Sequence, residues 1–381
     1  MILTLLLTVL AGCRTDIDTS EQPEKASPEE IYFDDYEGPA SKWGFLDQDG
    51  NVAIRPKYDQ VSAHSEGLAA ANLGGRWGYI NLKGEVVINF AFLAAWPFSE
   101  GMARVTRFDG THCLVDTAGK IHCIAGADAL YDMRSGRARF ERDAQFGYVD
   151  RHGSVRIDPA FEGADNFVDG YARVRTNGLE GLIDTTGQFL IDPAYDRIYP
   201  PAEQLIAACR DGSCYYLGMD GKRIGDATFS SVRPFNAGRA AVQYDGSWHL
   251  IDQTMRRLTQ EGFEYMRYAG SGNWVVVRNG KHGLIDTSGV LITECRYDQI
   301  NDFSEGLAAY NLEGLCGYLH ADGSVALPPQ YGLAWDFSEG LARAAFRNGI
   351  AYITPDGSVP FIPDYFELRD FSQGLAPFQE D

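Results

Sequence analysis

The sequence predicts an all-β protein built from ten tandem copies of a three-stranded antiparallel meander of about 34 residues. Three observations predict this fold. An apolar residue pair recurs every 34 residues, an Asp-x-x-Gly turn follows most of these pairs, and a Phe-Ser-Glu-Gly-Leu-Ala segment precedes a further apolar run. The 42 glycines in 381 residues are typical of a chain with many tight turns.

The first predicted strand of each unit carries the apolar pair. The residue before the pair is usually glycine, and its ten equivalents are Gly44, Gly78, Cys113, Gly147, Gly181, Tyr215, His249, Gly283, Gly317 and Ala351. Every step between them is 34 residues except one of 35. A short apolar run between turn residues is typical of a buried strand.

A hairpin turn and two further strands complete the predicted unit. An Asp such as Asp47 can bond to the backbone ahead, and the following Gly, such as Gly50, can adopt a positive φ. The second strand ends in Tyr or Phe, often after a proline. The third strand follows the Ser-Glu-Gly turn, most clearly at residues 98–103, 303–308 and 337–342.

A meander of this length cannot bury its apolar face alone, so neighbouring units must stack around a shared core. Ten short units exceed the ~4–8 blades typical of closed propellers. The count therefore favours an open solenoid or superhelical array, and the alternative is a closed or spiral β-propeller. The array is predicted to span residues 41–381.

The amino terminus is predicted to be a targeting segment. Residues 1–12 resemble a secretory signal peptide, and Leu10-Ala11-Gly12-Cys13 resembles the bacterial lipoprotein box. This resemblance implies that Cys13 is lipidated, and the Arg at position 14 favours the outer membrane or cell surface. Residues 13–40 are predicted to be an acidic tether.

The repeats resemble a known family. Lys42-Trp43-Gly44-Phe45-Leu46-Asp47 and residues 76–80, Arg-Trp-Gly-Tyr-Ile, resemble the WG (KWG) repeat found in tandem in bacterial envelope proteins. The tryptophan itself stands only at positions 43, 77 and 248. The resemblance implies a repeat architecture in the envelope and does not by itself imply an activity.

Six cysteines beyond Cys13 predict three disulfides in an exported chain. The Asp-Gly hairpin between Cys209 and Cys214 places these two cysteines opposite each other. The turn at residues 117–119 does the same for Cys113 and Cys123. Cys295 and Cys316 are paired by elimination.

Composition and spacing argue against several classes of partner and site. A formal charge of −20 argues against nucleic acid as a partner and against membrane contact other than a lipid anchor. His112 and His122 alternate with the two neighbouring cysteines, so all four side chains cannot converge on a metal ion. No metal or other cofactor is expected. The recurring Glu66, Glu100, Glu305 and Glu339 are interpreted as turn carboxylates.

One recurring pattern of arginines does not belong to the predicted turns. Arg104, Arg139 and Arg173 share one position in three successive units, and Arg343 shares it further along. Stacking would align them either as salt-bridge partners for nearby acids or as a groove for an anionic ligand. Trp96 and Trp335 share another position and could offer a stacking surface to a glycan.

These patterns predict a non-enzymatic envelope lipoprotein whose repeat surface binds a protein or glycan partner. The alternatives are an envelope assembly scaffold or chaperone, or a hydrolase with its site in a propeller mouth. The sequence shows no recognisable catalytic motif of the Ser-His-Asp, Cys-His or His-Glu-x-x-His type.

Overall fold

The computed structural model describes residues 38–347, 349–365 and 367–380. The predicted signal peptide, Cys13 and most of the predicted tether lie outside these ranges. The described chain is all-β, as predicted, and it forms no helix long and apolar enough to cross a membrane.

The first half of the described residues forms eighteen strands. They are β1 (Lys42–Asp47), β2 (Val52–Tyr58), β3 (Gln60–Val61), β4 (Leu68–Leu73), β5 (Arg76–Asn81), β6 (Val86–Phe92), β7 (Ala94–Ala95), β8 (Met102–Thr106), β9 (His112–Asp116), β10 (Ile121–Cys123), β11 (Ala129–Arg134), β12 (Arg137–Arg142), β13 (Gln145–Val149), β14 (Val155–Phe161), β15 (Gly163–Ala164), β16 (Tyr171–Thr176), β17 (Leu179–Asp184) and β18 (Phe189–Tyr195).

The second half continues the pattern. Its strands are β19 (Arg197–Ile198), β20 (Leu205–Arg210), β21 (Ser213–Gly218), β22 (Ser231–Val232), β23 (Arg239–Tyr244), β24 (Ser247–Asp252), β25 (Tyr265–Gly270), β26 (Asn273–Arg278), β27 (Lys281–Ile285), β28 (Leu291–Tyr297), β29 (Gln299–Ile300), β30 (Leu307–Leu312), β31 (Leu315–His320), β32 (Val325–Tyr331), β33 (Leu333–Ala334), β34 (Ala342–Phe346), β35 (Gly349–Ile353), β36 (Glu367–Leu368) and β37 (Leu375–Glu380).

These strands form ten small antiparallel sheets, which are the blades of a closed ten-bladed propeller. Blade 1 combines both ends of the chain in the order β2-β1-β37-β36. Blades 2 to 10 follow in chain order as β3–β6, β7–β10, β11–β14, β15–β18, β19–β21, β22–β24, β25–β28, β29–β32 and β33–β35. Within the described ranges, eight blades begin with a two-residue first strand, whereas β11 of blade 4 and β25 of blade 8 have six residues.

Closure of the ring confirms the β-propeller named as the alternative and corrects the open solenoid that the repeat count favoured. Strand β1 pairs with β37 in an uninterrupted antiparallel register from Lys42↔Glu380 to Asp47↔Leu375. The ring closes because the sequence units and the blades do not share the same boundaries. The third strand of one sequence unit pairs with the first strand of the next, as β4 does with β5. The first unit therefore needs a third strand from elsewhere, and the last unit supplies it.

The hydrophobic core is distributed over the ten junctions between blades, as predicted for a repeat array. Each of the ten buried clusters joins two neighbouring blades. The junction between blades 10 and 1 has the same kind of core, in which Tyr352 of blade 10 lies with Leu46, Leu368 and Phe378 of blade 1. The ends of the chain thus meet through a complete junction.

The glycine of the Trp-Gly pair decides where a full fourth strand forms. At Gly78 an added Cβ would lie 2.6 Å from the carbonyl oxygen of Ile88 in the adjacent fourth strand. The ladder is bulged at this point, so the two backbones approach closely. All six blades with glycine here have a seven-residue fourth strand. Among the described residues, the blades with Cys113, Tyr215, His249 and Ala351 have a three-residue fourth strand or none.

The predicted Asp-x-x-Gly turns are present. In the first of them Asp47 Oδ1 accepts hydrogen bonds from the backbone N–H groups of Asp49, at 3.1 Å, and Asn51, at 2.8 Å. Gly50 has a φ of 83°. These aspartates therefore shape hairpins, which accounts for their recurrence.

Two of the three predicted disulfides are present, Cys113–Cys123 and Cys209–Cys214. Both join residues directly opposite each other in a hairpin. The predicted pair Cys295–Cys316 is wrong, because both are free thiols. Cys295 packs at the junction of blades 7 and 8, whereas Cys316 packs at the junction of blades 9 and 10.

Thiol chemistry should reproduce this pattern. Peptide mapping of denatured, unreduced protein is expected to recover Cys113 linked to Cys123 and Cys209 linked to Cys214. Cys295 and Cys316 should react with an alkylating reagent, since the fold holds them at different junctions. Recovery of a Cys295–Cys316 peptide in material alkylated before unfolding would contradict the structure.

Candidate functional site

The Ser-Glu-Gly turns lie at the inner edge of the ring, at one end of the blades. Glu100 accepts hydrogen bonds from the backbone N–H groups of Ser135 and Gly136 in the next blade, both at 2.7 Å. The Gly67 N–H donates across the closure to Gln373 Oε1 at 2.7 Å. Equivalent points of neighbouring blades approach most closely at the smallest radius, which places this row of turns innermost. The turn carboxylates therefore also tie blades together.

The predicted arginine row lies beside this edge and reaches across blade junctions. Arg104 donates to the carboxylate of Asp132, at 2.7 Å, and to the carbonyl of Leu130, at 3.2 Å, in the next blade. Arg343 repeats the arrangement with Asp370 and Leu368, at 2.7 and 2.8 Å. Arg139 donates to the carbonyl of Ala164.

The tryptophans predicted as a separate surface belong to the same site. The Arg104 guanidinium carbon lies 4.1 Å from the centroid of the Trp96 ring, and that of Arg343 lies 4.6 Å from the Trp335 ring. Strand pairing brings these residues together, because the backbone N–H of Trp96 donates to the carbonyl of Arg104 and that of Trp335 to the carbonyl of Arg343. Two sequence patterns thus form one cation–π arrangement.

Sequence reasoning missed half of this site. Tyr131 takes the place of tryptophan under Arg139, with the guanidinium carbon 3.7 Å from its ring centroid. In three other blades the first strand supplies the arginine instead, opposite Ala241, Val275 or Pro377 of the second strand. Arg267 and Arg369 then donate to the carbonyls of Ile300, at 2.7 Å, and Val61, at 3.0 Å.

The inner-wall arginines are defined here as the residues that occupy either of these two paired positions. They are Arg104, Arg139, Arg173, Arg233, Arg267, Arg343 and Arg369. No single sequence pattern marks all of them, since the residue at the paired position is aromatic, acidic, alanine, valine or proline. Seven of the ten blades contribute one.

This geometry favours the structural interpretation of the arginine row over an anion groove. The carboxylates of Asp132 and Asp370 already form ion pairs with the guanidinium groups of Arg104 and Arg343. The side chains of these two arginines are 24% and 15% exposed. A groove for an anion needs guanidinium groups whose donors are free. The accessible feature of the wall is the half-buried aromatic surface of Trp96, Tyr131 and Trp335 with its stacked arginines.

Blade 5 departs from the pattern. Glu180 occupies the position of the naming tryptophan and its side chain is 6% exposed. It accepts hydrogen bonds from Arg173, at 3.5 Å, Arg175, at 3.1 Å, and the backbone N–H of Ile198, at 3.0 Å. Arg173 also pairs with Asp165 at 2.8 Å. A cavity of about 220 Å³ lies beside this cluster, against Phe146.

A buried histidine lies at the ring closure. His64 is 2% exposed, and its Nε2 lies 3.3 Å from the carbonyl oxygen of Asn81. Its Nδ1 is buried without a hydrogen-bond partner. Burial lowers the pKa of His64 below the usual 6.5, which keeps the ring neutral.

Acidic pH should therefore weaken the closure. The contribution of neutral His64 to stability is complete above pH 6.5 and is lost as the pH falls toward the depressed pKa of the folded state. When the pH is lowered from 7.5 to 5.5, we expect the melting temperature of His64→Gln to fall less than that of wild type. The exposed His320 provides the control, and His320→Gln should retain the wild-type pH dependence. Identical pH dependence in all three proteins would contradict the assignment.

Comparison with known proteins supports the repeat architecture. The family model described as WG containing repeat matches residues 43–77, 77–107, 146–179, 181–214, 226–248, 283–316 and 317–354, more than half of the chain. No curated protein matches the sequence.

Solved structures resemble the fold at low identity. A eukaryotic initiation factor is 12% identical, with a TM-score of 0.51, over 90% of this chain and 98% of that chain. The computationally designed Ika8 protein is 13% identical, with a TM-score of 0.37, over 71% and 95%. Hsv2 of Kluyveromyces lactis is 12% identical, with a TM-score of 0.34, over 58% and 87%. The first of these is a likeness of fold alone. Because the matched stretches span most of the blades, this chain belongs to the family of WG-repeat proteins.

Proposed function

We propose that this protein is a non-enzymatic, lipid-anchored binding protein of the bacterial cell envelope, located at the outer membrane or cell surface. Its partner is a protein or a glycan, and the inner wall is the surface that binds it. The observation that carries this proposal is the set of half-buried rings with stacked arginines, Trp96 and Tyr131 in the neighbouring blades 3 and 4 and Trp335 in blade 10. Tyrosine, tryptophan and arginine are the residues most enriched at binding hot spots.

The rigidity of the wall supports a binding role. Arg104 reaches the next blade and stacks on Trp96, which holds the indole ring in one orientation. A preorganised surface loses little conformational freedom on binding, so more of the contact energy appears as affinity. Ten similar blades with different residues at the wall give a broad surface that is not repeated.

Two features support the envelope location. The disulfides Cys113–Cys123 and Cys209–Cys214 are typical of oxidising compartments. The Leu-Ala-Gly-Cys segment ending at Cys13 supplies the proposed anchor. Cys13→Ser should move the protein from the membrane fraction to the soluble fraction or leave an uncleaved precursor. Unchanged partitioning of this variant would overturn the anchor.

The binding surface is tested by cross-linking in intact cells followed by mass spectrometry. The double variant Trp96→Ala, Trp335→Ala should lose the partner recovered with wild type, because truncation removes two stacking faces. Phe189→Ala, which changes an exposed ring on the outer strand β18, is the matched control and should retain it. A partner retained by the double variant and lost by the control would place the site on the outer strands instead.

A further inference from the structure

The cavity in blade 5 arises from a change at one repeated position. In blades 1 and 7 this position holds Trp43 and Trp248, whose rings lie under inner-wall arginines at 4.0 and 4.9 Å. In blade 5 the smaller Glu180 contacts Arg173 instead. Compared with blades 1 and 7, a cation–π contact is replaced by an ion pair, and part of the space that an indole fills in those two blades is open.

The lining of the cavity combines an apolar ring with polar groups. It is formed by Phe146, Gly163, Ala164, Asp165, Arg173, Val174, Arg175 and Glu180. Arg173 uses Oδ2 of Asp165, which leaves Oδ1 as an acceptor. Arg175 gives one amino group to Glu180 and is 52% exposed, which leaves further donors. The cavity thus offers an acceptor, a donor fork and an aromatic ring at one place.

The charges of the lining cancel. Arg173 and Arg175 carry two positive charges, and Asp165 and Glu180 carry two negative charges. A charged ligand would meet as much repulsion as attraction, so the site gains nothing from ligand charge. A neutral ligand rich in hydroxyl groups can use the donors and acceptors that remain.

Size limits the ligand further. The volume of about 220 Å³ is below the ~300–1,000 Å³ of sites for drug-sized molecules, so it suits one small ring. We propose that this cavity, here called the Glu180 pocket, binds one neutral pyranose ring, either as a free sugar or as a residue of a glycan chain. Phe146 packs against the C–H face of the ring, while Asp165 and Arg175 bind its hydroxyl groups. The pocket includes the inner-wall residue Arg173 but not the rings of Trp96, Tyr131 and Trp335, so this proposal holds even if the partner of those rings is a protein.

Saturation-transfer NMR on the purified full chain tests the proposal. The probes are the methyl glycosides of glucose, galactose, mannose and N-acetylglucosamine, with cellotriose and maltotriose as chain probes. We expect transfer to at least one neutral sugar. Transfer to a methyl glycoside identifies a free sugar as sufficient, and transfer only to a trisaccharide identifies a glycan chain. Absence of transfer to all six probes would overturn the proposal.

Two matched variants separate the pocket from the rest of the ring. Glu180→Trp restores the residue that the family places here and should abolish transfer while the protein stays folded. His282→Trp introduces the same residue at the equivalent position of blade 8 and should leave transfer at the wild-type level. If Glu180→Trp fails to fold, Phe146→Ala should weaken binding at least about tenfold. Persistent transfer in a folded Glu180→Trp would overturn the proposal.

Ligand charge gives an independent test. Glucuronic acid and glucosamine differ from glucose by one charge each, and both should bind no more tightly than neutral glucose because the lining is charge-balanced. Tighter binding of either would overturn the assignment to a neutral ligand. The proposed function of the inner wall is unaffected by these outcomes, because cross-linking of its partner is measured separately with the Trp96→Ala, Trp335→Ala variant.

Discussion

Deletion of residues 375–381 should destabilise the whole ring rather than loosen one blade. These residues include β37, which pairs with β1 over its entire length. Ala376 and Phe378 are fully buried at the junction of blades 10 and 1. Without β37, blade 1 loses a central strand and both flanking junctions are exposed. Since domains are stable by only ~5–15 kcal/mol, we expect the truncated chain to lose its cooperative thermal transition.

A point variant gives the same test with less disturbance. Phe378→Ala should lower the free energy of unfolding by about 3–5 kcal/mol, because it leaves a cavity where a buried ring packs against Tyr365 at 4.1 Å. Phe346→Ala changes a ring that is 41% exposed in β34 and serves as the control, with a smaller expected loss. Urea denaturation measures both. Equal losses in the two variants would contradict a closed ring held at this junction.

Substitution of Gly78, the glycine of a Trp-Gly pair, should also lower the stability of the protein. In Gly78→Ala the new Cβ would lie 2.6 Å from the carbonyl oxygen of Ile88 and 2.9 Å from two atoms of Asn89. All three are backbone atoms, so no side-chain rotation relieves the overlap and β6 must move away from β5. We expect a loss of about 1–3 kcal/mol or more.

The chain provides a matched control for this prediction. Ala351 occupies the equivalent position in blade 10, where no fourth strand is present in the described residues. Ala351→Gly should therefore change stability by no more than about 1 kcal/mol, the usual cost of glycine in a strand. Hydrogen exchange of the amides in β6 and thermal unfolding report the two effects. Wild-type protection of β6 in Gly78→Ala would show that the overlap is relieved without strand displacement.

The local elements could be predicted because their causes lie within a few residues. The Asp47 turn, the hairpin between Cys209 and Cys214 and the buried pair Phe45-Leu46 each depend on near neighbours in the chain. The same reasoning interpreted Glu100 as a turn residue. It did not reveal that this carboxylate binds the next blade, because that contact joins residues about 35 positions apart.

For the candidate functional residues too, the sequence predicted local features and missed contacts between separate strands. The sequence identified Arg104 and Trp96 separately, since each shares a position with residues in other units. Their stacking at 4.1 Å depends on the pairing of first and second strands, which leaves no trace in either pattern alone. The Glu180 pocket was missed because this position varies from unit to unit, so no periodicity distinguishes the one unit that carries a carboxylate there.

The sequence by itself determined the strand content, the turn chemistry, the repeat length and the two hairpin disulfides, all through local backbone preferences and alternation of side chains. Only the tertiary structure decided that ten units close into a ring. Closure depends on the small rotation between successive blades accumulating to a full turn, so that β37 arrives beside β1. That rotation is set by packing at the ten junctions, and no single repeat contains it. For the same reason the elimination that paired Cys295 with Cys316 was wrong, because it took no account of which junction each thiol occupies.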